Sequence, residues 1–446
     1  MKQILLLGAG KSSSVLIDYL LAQAETGGWH LTVADTNLQT AMDKVKNSPF
    51  GKAIAFDVTD DAVREKTISN ADLVISMLPA TLHALVAKDC LRLTKHLLTA
   101  SYTDPEIKRM AAEINEKGLL FLCEMGLDPG IDHMSAMKLI DAIHEKGGKV
   151  KSFKSHCGGL VAPESDDNPW HYKISWNPRN VVLAGKAGAR FRLNADVVNI
   201  PYESVFANNE TVAVEGLGSL AFYANRDSLD YIPLYGLEDA ETFVRTTLRY
   251  PIYCKAWNCL VHARLTDEDR SSPVIANKHI RYNEWLKKSL EQYHGHDDLD
   301  RFLSEHVDGK DKEEVIALFE FLGLLSNEPI PLTATCSADV LQYAIENRLV
   351  LHPQDRDMIV MLHEIDYEID NNLHSISSTL VVKGENSIHT AMAKTVGLPL
   401  GIAAKLLLSG KILTRGLAIP TIADIYEPVL AELADNGVRF EEKESV

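Results

Sequence analysis

Six short apolar runs punctuate the first 130 residues: ILLLG from Ile4, LTVAD from Leu31, AIAFD from Ala53, DLVISMLP from Asp72, HLLTASY from His96 and LLFLCEMG from Leu119. The segments between them carry apolar residues at helical spacing. That alternation predicts successive βαβ units and a Rossmann-type, doubly wound parallel sheet. Local punctuation supports the helices. In SYTDPEIKRM, Asp104 is placed to cap, Pro105 to occupy the first helical position and Glu106 to face the positive helix end, with Gly118 closing the segment.

From about residue 149 the pattern changes. KVKSFKSHCGGL, RFRLNADVVNI, TVAVEG, SLAFYANRDS and TFVRTTLRYP read as strands of a second, mixed sheet, and the stretch of about 250–350 reads as an insertion of amphipathic helices. Strands return in DMIVMLHEIDYEID and SISSTLVVKGE. The segment HTAMAKTVGLPLGIAAKLLLSG predicts a small-residue-rich helix pair broken near Pro399. The expected class is α/β, a parallel doubly wound domain joined to an α+β domain with a mixed sheet and a helical insertion.

Composition narrows the function. A formal net charge of −17, from 62 acidic and 45 basic residues, argues against a nucleic-acid or anionic-membrane partner. No stretch approaches the ~18 consecutive apolar residues of a membrane span. The cysteines at 90, 123, 157, 254, 259 and 336 are scattered without zinc-ligand spacing, so no metal is expected and a reducing cytoplasm fits best. Met1 leads straight into the first apolar run, with no pattern of a signal peptide.

LLLGAGKSSS joins the first strand to a helix, placing Gly8, Gly10, Lys11, Ser12 and Ser13 where a dinucleotide pyrophosphate approaches backbone and helix N-terminus. Ser13 stands at the third glycine position, and a plain tight turn is the competing reading. Asp35 ends the second strand, where an acidic side chain bonds adenosine ribose hydroxyls; its alternative is a helix cap. A carboxylate there repels a 2′-phosphate, and Thr36, Asn37 and Leu38 offer no arginine, so NAD is favoured over NADP. Asp57 and Val58 close the third strand, where adenine lies in such sheets. Ser76, Met77 and Leu78 close the fourth, near the nicotinamide.

Chemistry concentrates in three further places. Ser101 and Tyr102 follow the fifth strand, CEMGLDPGIDH follows the sixth, and Arg226 and Arg249 lie on later strands, where guanidinium forks match carboxylates. In CEMGLDPGIDH, Asp128 is the strong candidate, with a second reading as helix cap before Pro129 at the helix start. Asp132 and His133 read as scaffold, and Gly126 and Gly130 as room for backbone to approach a ligand.

The motifs LLLGAGKSSS, DLVISMLPATLHA, TASYTDPEI, EMGLDPGIDHM, HCGGLVAPESDDNPWHYKISWNPR, ANRDS, TTLRYP and HTAMAKTVGLPLGIAAKLLLSGK together closely resemble the L-glutamate-forming saccharopine dehydrogenases. This resemblance implies an oxidoreductase of lysine metabolism, interconverting saccharopine with L-glutamate and 2-aminoadipate 6-semialdehyde through a nicotinamide. By the same resemblance Ser101, Tyr102, Arg226, Thr247, Leu248 and Arg249 contact substrate, Leu127, Asp128 and Trp176 line cofactor or substrate, and Asp128, Tyr102 and Cys157 handle protons. Cys157 also admits a packing reading. The resemblance further implies a discontinuous nucleotide domain, 1–128 completed by 390–446, a substrate-binding and dimerisation domain over 129–389, and a homodimer with small-molecule partners only. VADTN departs from the fungal pattern, which carries an arginine at the end of the second strand. A lysine or carboxy-polyamine amine dehydrogenase is the runner-up, and a non-catalytic NAD sensor a third reading.

Overall fold

The computed structural model describes residues 1–207, 210–277 and 279–445, and the chain folds as two compact units. The first comprises Met1–Lys149 with Leu380–Glu441, the second Val150–Thr379 with the chain from Glu442 onward.

In the first unit the apolar runs become β1 Lys2–Leu7, β2 Trp29–Asp35, β3 Gly51–Ala55, β4 Leu73–Ser76, β5 His96–Thr99 and β6 Leu120–Leu122. They pair in parallel in the order Gly416–Ala418, β6, β5, β4, β1, β2, β3. Leu5, Leu7, Val74, Leu97 and Phe121 pack in one of its cores, as expected of strands covered on both faces. Helix starts follow the local signals: Asp104 accepts from the Glu106 N–H at 2.6 Å with Pro105 at the first turn, and Gly118 takes the left-handed conformation beyond the helix end.

The structure corrects several expectations. Residues 390–408 do not form a broken helix pair: Ala391–Leu408 is one helix running through Pro399. Gly397 and Gly401 let it lie directly against the helix Ser14–Ala22, since a Cβ at Gly397 would stand 2.9 Å from the Leu16 nitrogen and one at Gly401 2.6 Å from the Tyr19 ring. That burial outweighs the hydrogen bond lost at proline. Contrary to the composition reading, this helix is long and apolar enough to cross a membrane by length and composition, but most of it is buried inside the first unit. The helix after β6, Ile131–Glu145, also stays with the first unit, packed on Ala423–Asp435, so the compact unit runs to Lys149 rather than closing at Asp128.

The second sheet holds β7 Lys149–Val161, β8 Ala189–Leu193, β9 Asp196–Ile200, β10 Thr211–Val214, β11 Gly218–Ala224, β12 Arg226–Asp227, β13 Thr242–Arg249, β14 Asp357–Ile369 and β15 Asn372–Lys383. Its main path runs β10, β11, β13, β7, β14, β15 with Glu441–Ser445 at the edge. The sheet is mixed as expected: β13 is parallel to β7 and antiparallel to β11. Five helices, Pro251–His262, Tyr282–His294, Leu299–His306, Gly309–Phe321 and Ser337–Arg348, fill the expected insertion. Their apolar stripes gather Trp170, Tyr253, Trp257, Trp285 and Phe302 into a core under one sheet face.

Gly397→Val forces a branched side chain onto the backbone of Leu16. Overpacking of this kind costs about 1–3 kcal/mol, so the variant is expected to unfold at lower urea than the parent, with an unchanged midpoint counting against the packing account.

Candidate active site

The glycine loop is built by close approach. Gly8 has φ +101°, and a Cβ there would sit 2.9 Å from the Met77 carbonyl oxygen, so the loop after β4 presses against it. Around Gly10 a Cβ would meet open space, leaving the backbone accessible just before the helix Ser14–Ala22. Asp35 anchors this arrangement: Oδ2 accepts from the Ala9 N–H at 2.7 Å and Oδ1 from the Asn37 N–H at 2.8 Å. It is not a helix cap; Asn37 caps Leu38–Val45. Lys44, which sequence reading missed, reaches back to the Gly10 carbonyl and lies 3.2 Å from Ser13 Oγ. Burial lowers its ammonium pKa to about 8 against the pull of Asp35.

Other cofactor candidates divide. Lys11 is exposed and Ser12 half-buried, whereas Ser13 is buried with its hydroxyl donated to the Gly10 carbonyl at 2.8 Å, so it braces the loop from inside. Asp57 and Val58 do not close β3, which ends at Ala55. Asp57 accepts from Thr59 N and Oγ1 at 2.9 and 2.7 Å, and Val58 is a core residue. Leu78 leans on the same core, and the Met77 N–H is bonded to the Leu7 carbonyl at 2.8 Å. Ser76 is fully buried and bonded to His83 at 2.8 Å; the other ring nitrogen of His83 meets Ser101 Oγ at 2.9 Å.

Beyond β5 the candidates converge. Tyr102 Oη donates to Asp128 Oδ1 at 3.1 Å, bringing together two residues 26 positions apart. A phenol bonded to a carboxylate is a proton-transfer pair: the carboxylate can store a proton that the phenol passes on. Glu124, also missed, sets the pair's position. Its Oε1 accepts from Thr103 N and Oγ1 at 3.0 and 2.8 Å, its Oε2 faces His133 Nε2 at 3.0 Å, and its own N–H donates to the Ser101 carbonyl. His133 and Asp132 are buried, in accord with a scaffold role.

Two expectations for CEMGLDPGIDH fail. The helix begins at Ile131 with Gly130 before it, so Asp128 is not its cap nor Pro129 its first residue, and the Asp128–Pro129 peptide is cis. Gly126 and Gly130 do not make room for a ligand. A Cβ at Gly130, where φ is +147°, would fall 2.1 Å from the Gly126 carbonyl oxygen, so the glycines let the turn close on itself. Leu127 is buried within this turn, its carbonyl accepting from Asp132 N.

The second unit carries the remaining candidates. Strand alternation puts Cys157, Thr247 and Arg249 on the face of β7 and β13 shared with Tyr223 and Ala221, because Cys157 pairs with Thr247, Tyr223 with Thr247 and Ala221 with Arg249. Leu248 therefore turns away, into the cluster of Leu160, Leu220, Met358 and Val360, and offers only its backbone: its carbonyl accepts from Arg249 Nη1 at 2.7 Å. Arg249 is 5% exposed, its guanidinium 5.1 Å from the Tyr172 ring and 5.4 Å from that of Tyr253. Its Nε has no hydrogen-bond partner, and among the described residues no carboxylate pairs with it. Trp176, half-buried, donates its indole N–H to Tyr172 Oη at 3.0 Å and so steadies that platform. Arg226 is exposed at φ +53°, so the two arginines are not equivalent. Cys157 is buried, and none of the six cysteines takes part in a disulfide among the described residues.

Burial pushes the Glu124 carboxyl upward, but the hydrogen bond and charge of His133 and the bonds from Thr103 prevail and take it to about 2, from an ordinary 4.5. A depressed carboxyl stabilises the fold above its unfolded pKa and loses that contribution as pH falls toward the folded one. Acidification from about 4.5 to about 2 is therefore expected to remove on the order of 2–3 kcal/mol. Glu124→Gln should be less stable at pH 7 and show a flatter decline in that window by urea unfolding; a decline as steep as the parent's would refute the assignment.

Residues 4–122 match the family model of the saccharopine dehydrogenase NADP binding domain, and residues 126–438 that of the saccharopine dehydrogenase C-terminal domain. The chain is 36% identical over 448 residues to saccharopine dehydrogenase (NADP+, L-glutamate-forming) of Saccharomyces cerevisiae, spanning 99% of both. It is 34% identical to the mitochondrial alpha-aminoadipic semialdehyde synthase of Mus musculus, spanning 100% of this chain and 48% of that one. A solved apo structure of the Saccharomyces cerevisiae saccharopine dehydrogenase (L-Glu forming) superimposes with a TM-score of 0.89 at 35% identity, over 100% of both chains. Full-length likeness to that structure, with both family models matched in order, means that the chain belongs to the saccharopine dehydrogenase family.

Proposed function

We propose that the protein interconverts saccharopine with L-glutamate and 2-aminoadipate 6-semialdehyde. The observation that carries this reading is Arg249: a buried guanidinium with an unbonded Nε and no carboxylate partner among the described residues calls for an anionic ligand. Saccharopine brings three carboxylates. The glycine loop, open at Gly10 and anchored by Asp35, suits a dinucleotide, which when bound supplies the hydride acceptor or donor.

In the oxidative direction a hydride leaves the carbon next to the secondary amine, a C=N bond forms, water adds, and the C–N bond breaks to give amine and aldehyde. The Tyr102–Asp128 pair is suited to take the proton of the attacking water and return it to the departing nitrogen. Arg249 holds a carboxylate of the substrate, with Tyr172 and Tyr253 fixing the plane of its guanidinium. Cys157, paired in register with Thr247, lines the same strand face.

For the cofactor we favour NAD(H). The name of the Saccharomyces cerevisiae relative carries NADP+, yet Asp35 presents a carboxylate at the end of β2, where it accepts from two backbone N–H groups. A 2′-phosphate would meet like charge there, and the nearby Lys44 ammonium is already bonded to the Gly10 carbonyl.

Purified protein with saccharopine should reduce NAD+ and release glutamate. Turnover of lysine without glutamate, or none with either nucleotide, would overturn the reaction assigned. Asp35→Arg is expected to move the ratio of kcat/KM for NADP+ over NAD+ upward by at least about tenfold, equivalent to about 1.4 kcal/mol; a parent enzyme that prefers NADP+ would remove the role given to Asp35. Arg249→Ala should weaken saccharopine binding by more than about 1.5 kcal/mol, with NAD+ affinity little altered in a nucleotide titration.

A further inference from the structure

His83 opens the helix His83–Arg92 in the stretch MLPATLHA, between the ends of β4 and β5. It is 2% exposed, and its two ring nitrogens are both taken by hydroxyls: Nδ1 by Ser76 Oγ at 2.8 Å, Nε2 by Ser101 Oγ at 2.9 Å. Burial lowers its pKa to about 4 despite the pull of Asp104, and its place on the first turn of a helix also disfavours a cation. The ring is therefore neutral, with one nitrogen donating and the other accepting.

The hydroxyl of Ser76 decides which. Ser76 is fully buried, and among the described residues its Oγ has one hydrogen-bond partner, His83 Nδ1. Were Nδ1–H the donor, the Ser76 hydroxyl hydrogen would be left buried without an acceptor, the costlier kind of omission. Ser76 must then donate to Nδ1, which places the proton on Nε2 and makes Nε2–H donate to Ser101 Oγ. Ser101 is half-exposed, and its side chain has no other hydrogen-bond partner among the described residues. Its hydroxyl hydrogen is left to point outward, at the C-terminal edge of the parallel sheet where ligands of such folds bind.

We infer that His83 is a positioning residue: the one-way chain Ser76→His83→Ser101 makes Ser101 a dedicated hydrogen-bond donor to an acceptor oxygen of the ligand. Bonds aligned in this way polarise one another, so the terminal hydroxyl donates more strongly than an isolated serine. The inference rests on the proposed reaction only for the identity of the acceptor, a carboxylate of saccharopine. The proton position on His83 stands without it.

Two measurements separate these. In protein carrying ¹⁵N-labelled histidine, the His83 signals, assigned by their loss in His83→Gln, should show Nε2 protonated and Nδ1 bare between pH 6 and 8 (about the range in which histidine is ordinarily titrated). The opposite tautomer or a charged ring would overturn the chain, whatever the substrate. In steady-state assays, Ser101→Ala and His83→Phe should each raise KM for saccharopine about tenfold with the Kd for NAD+ little altered, and the double variant should be no worse than either single one. Independent, multiplying effects would refute action through Ser101. Should His83→Phe fail to fold, Ser76→Ala provides the same reading: it frees the tautomer, so KM is expected to rise severalfold in the parent and not at all in the Ser101→Ala background.

Discussion

The buried carboxylate of Glu124 is the constraint on which the first unit's chemistry depends. One oxygen holds Thr103 by two bonds, the other meets His133 inside the helix that follows β6, and the Glu124 amide ties back to Ser101. Ser101 and Thr103 of the β5 loop are thus fixed by one residue's side chain and backbone. Tyr102 lies in the middle of that clamped segment, so its phenol reaches Asp128 without adjusting the loop. An isolated ionised carboxyl so deep would be costly; two bonds from Thr103 and one contact with His133 make this one an organiser instead.

The second unit uses a different kind of support. Arg249 is held by ring faces and by main-chain carbonyls rather than by carboxylates. That choice keeps the guanidinium's charge uncommitted while fixing its plane, which is the condition for recognising a carboxylate with little reorganisation. A surface arginine paired with aspartate, like Arg190 with Asp227, has already spent that capacity.

Much of this was legible in the sequence because its signals are local. Strand and helix alternation, the Asp104–Pro105 start and the helical insertion depend on period and capping, which neighbouring residues determine. Errors arose where distant partners decide. Pro399 reads as a break, yet burial of Gly397 and Gly401 against the helix Ser14–Ala22 carries the helix through it. Gly130 reads as an opening for a ligand, yet its space is taken by Gly126. Glu124, His83 and Lys44 went unremarked because each acquires meaning only from a partner elsewhere in the chain: His133, Ser101 and Gly10 respectively. The family resemblance sets Leu248 beside Thr247 and Arg249, whereas alternation along the strand sends its side chain to the opposite face.

The order of the two units along the chain has a consequence for biosynthesis. Strand Gly416–Ala418 covers the edge of β6, and Ala391–Leu408 covers the face of the helix Ser14–Ala22. Both are made after nearly all of the second unit has emerged from the ribosome, so the nascent nucleotide-binding unit carries an open sheet edge and an uncovered apolar helix throughout that interval. The second unit, by contrast, lacks only its terminal edge strand Glu441–Ser445 once Thr379 has been made, so it is in the first unit that a translating chain has most need of a chaperone.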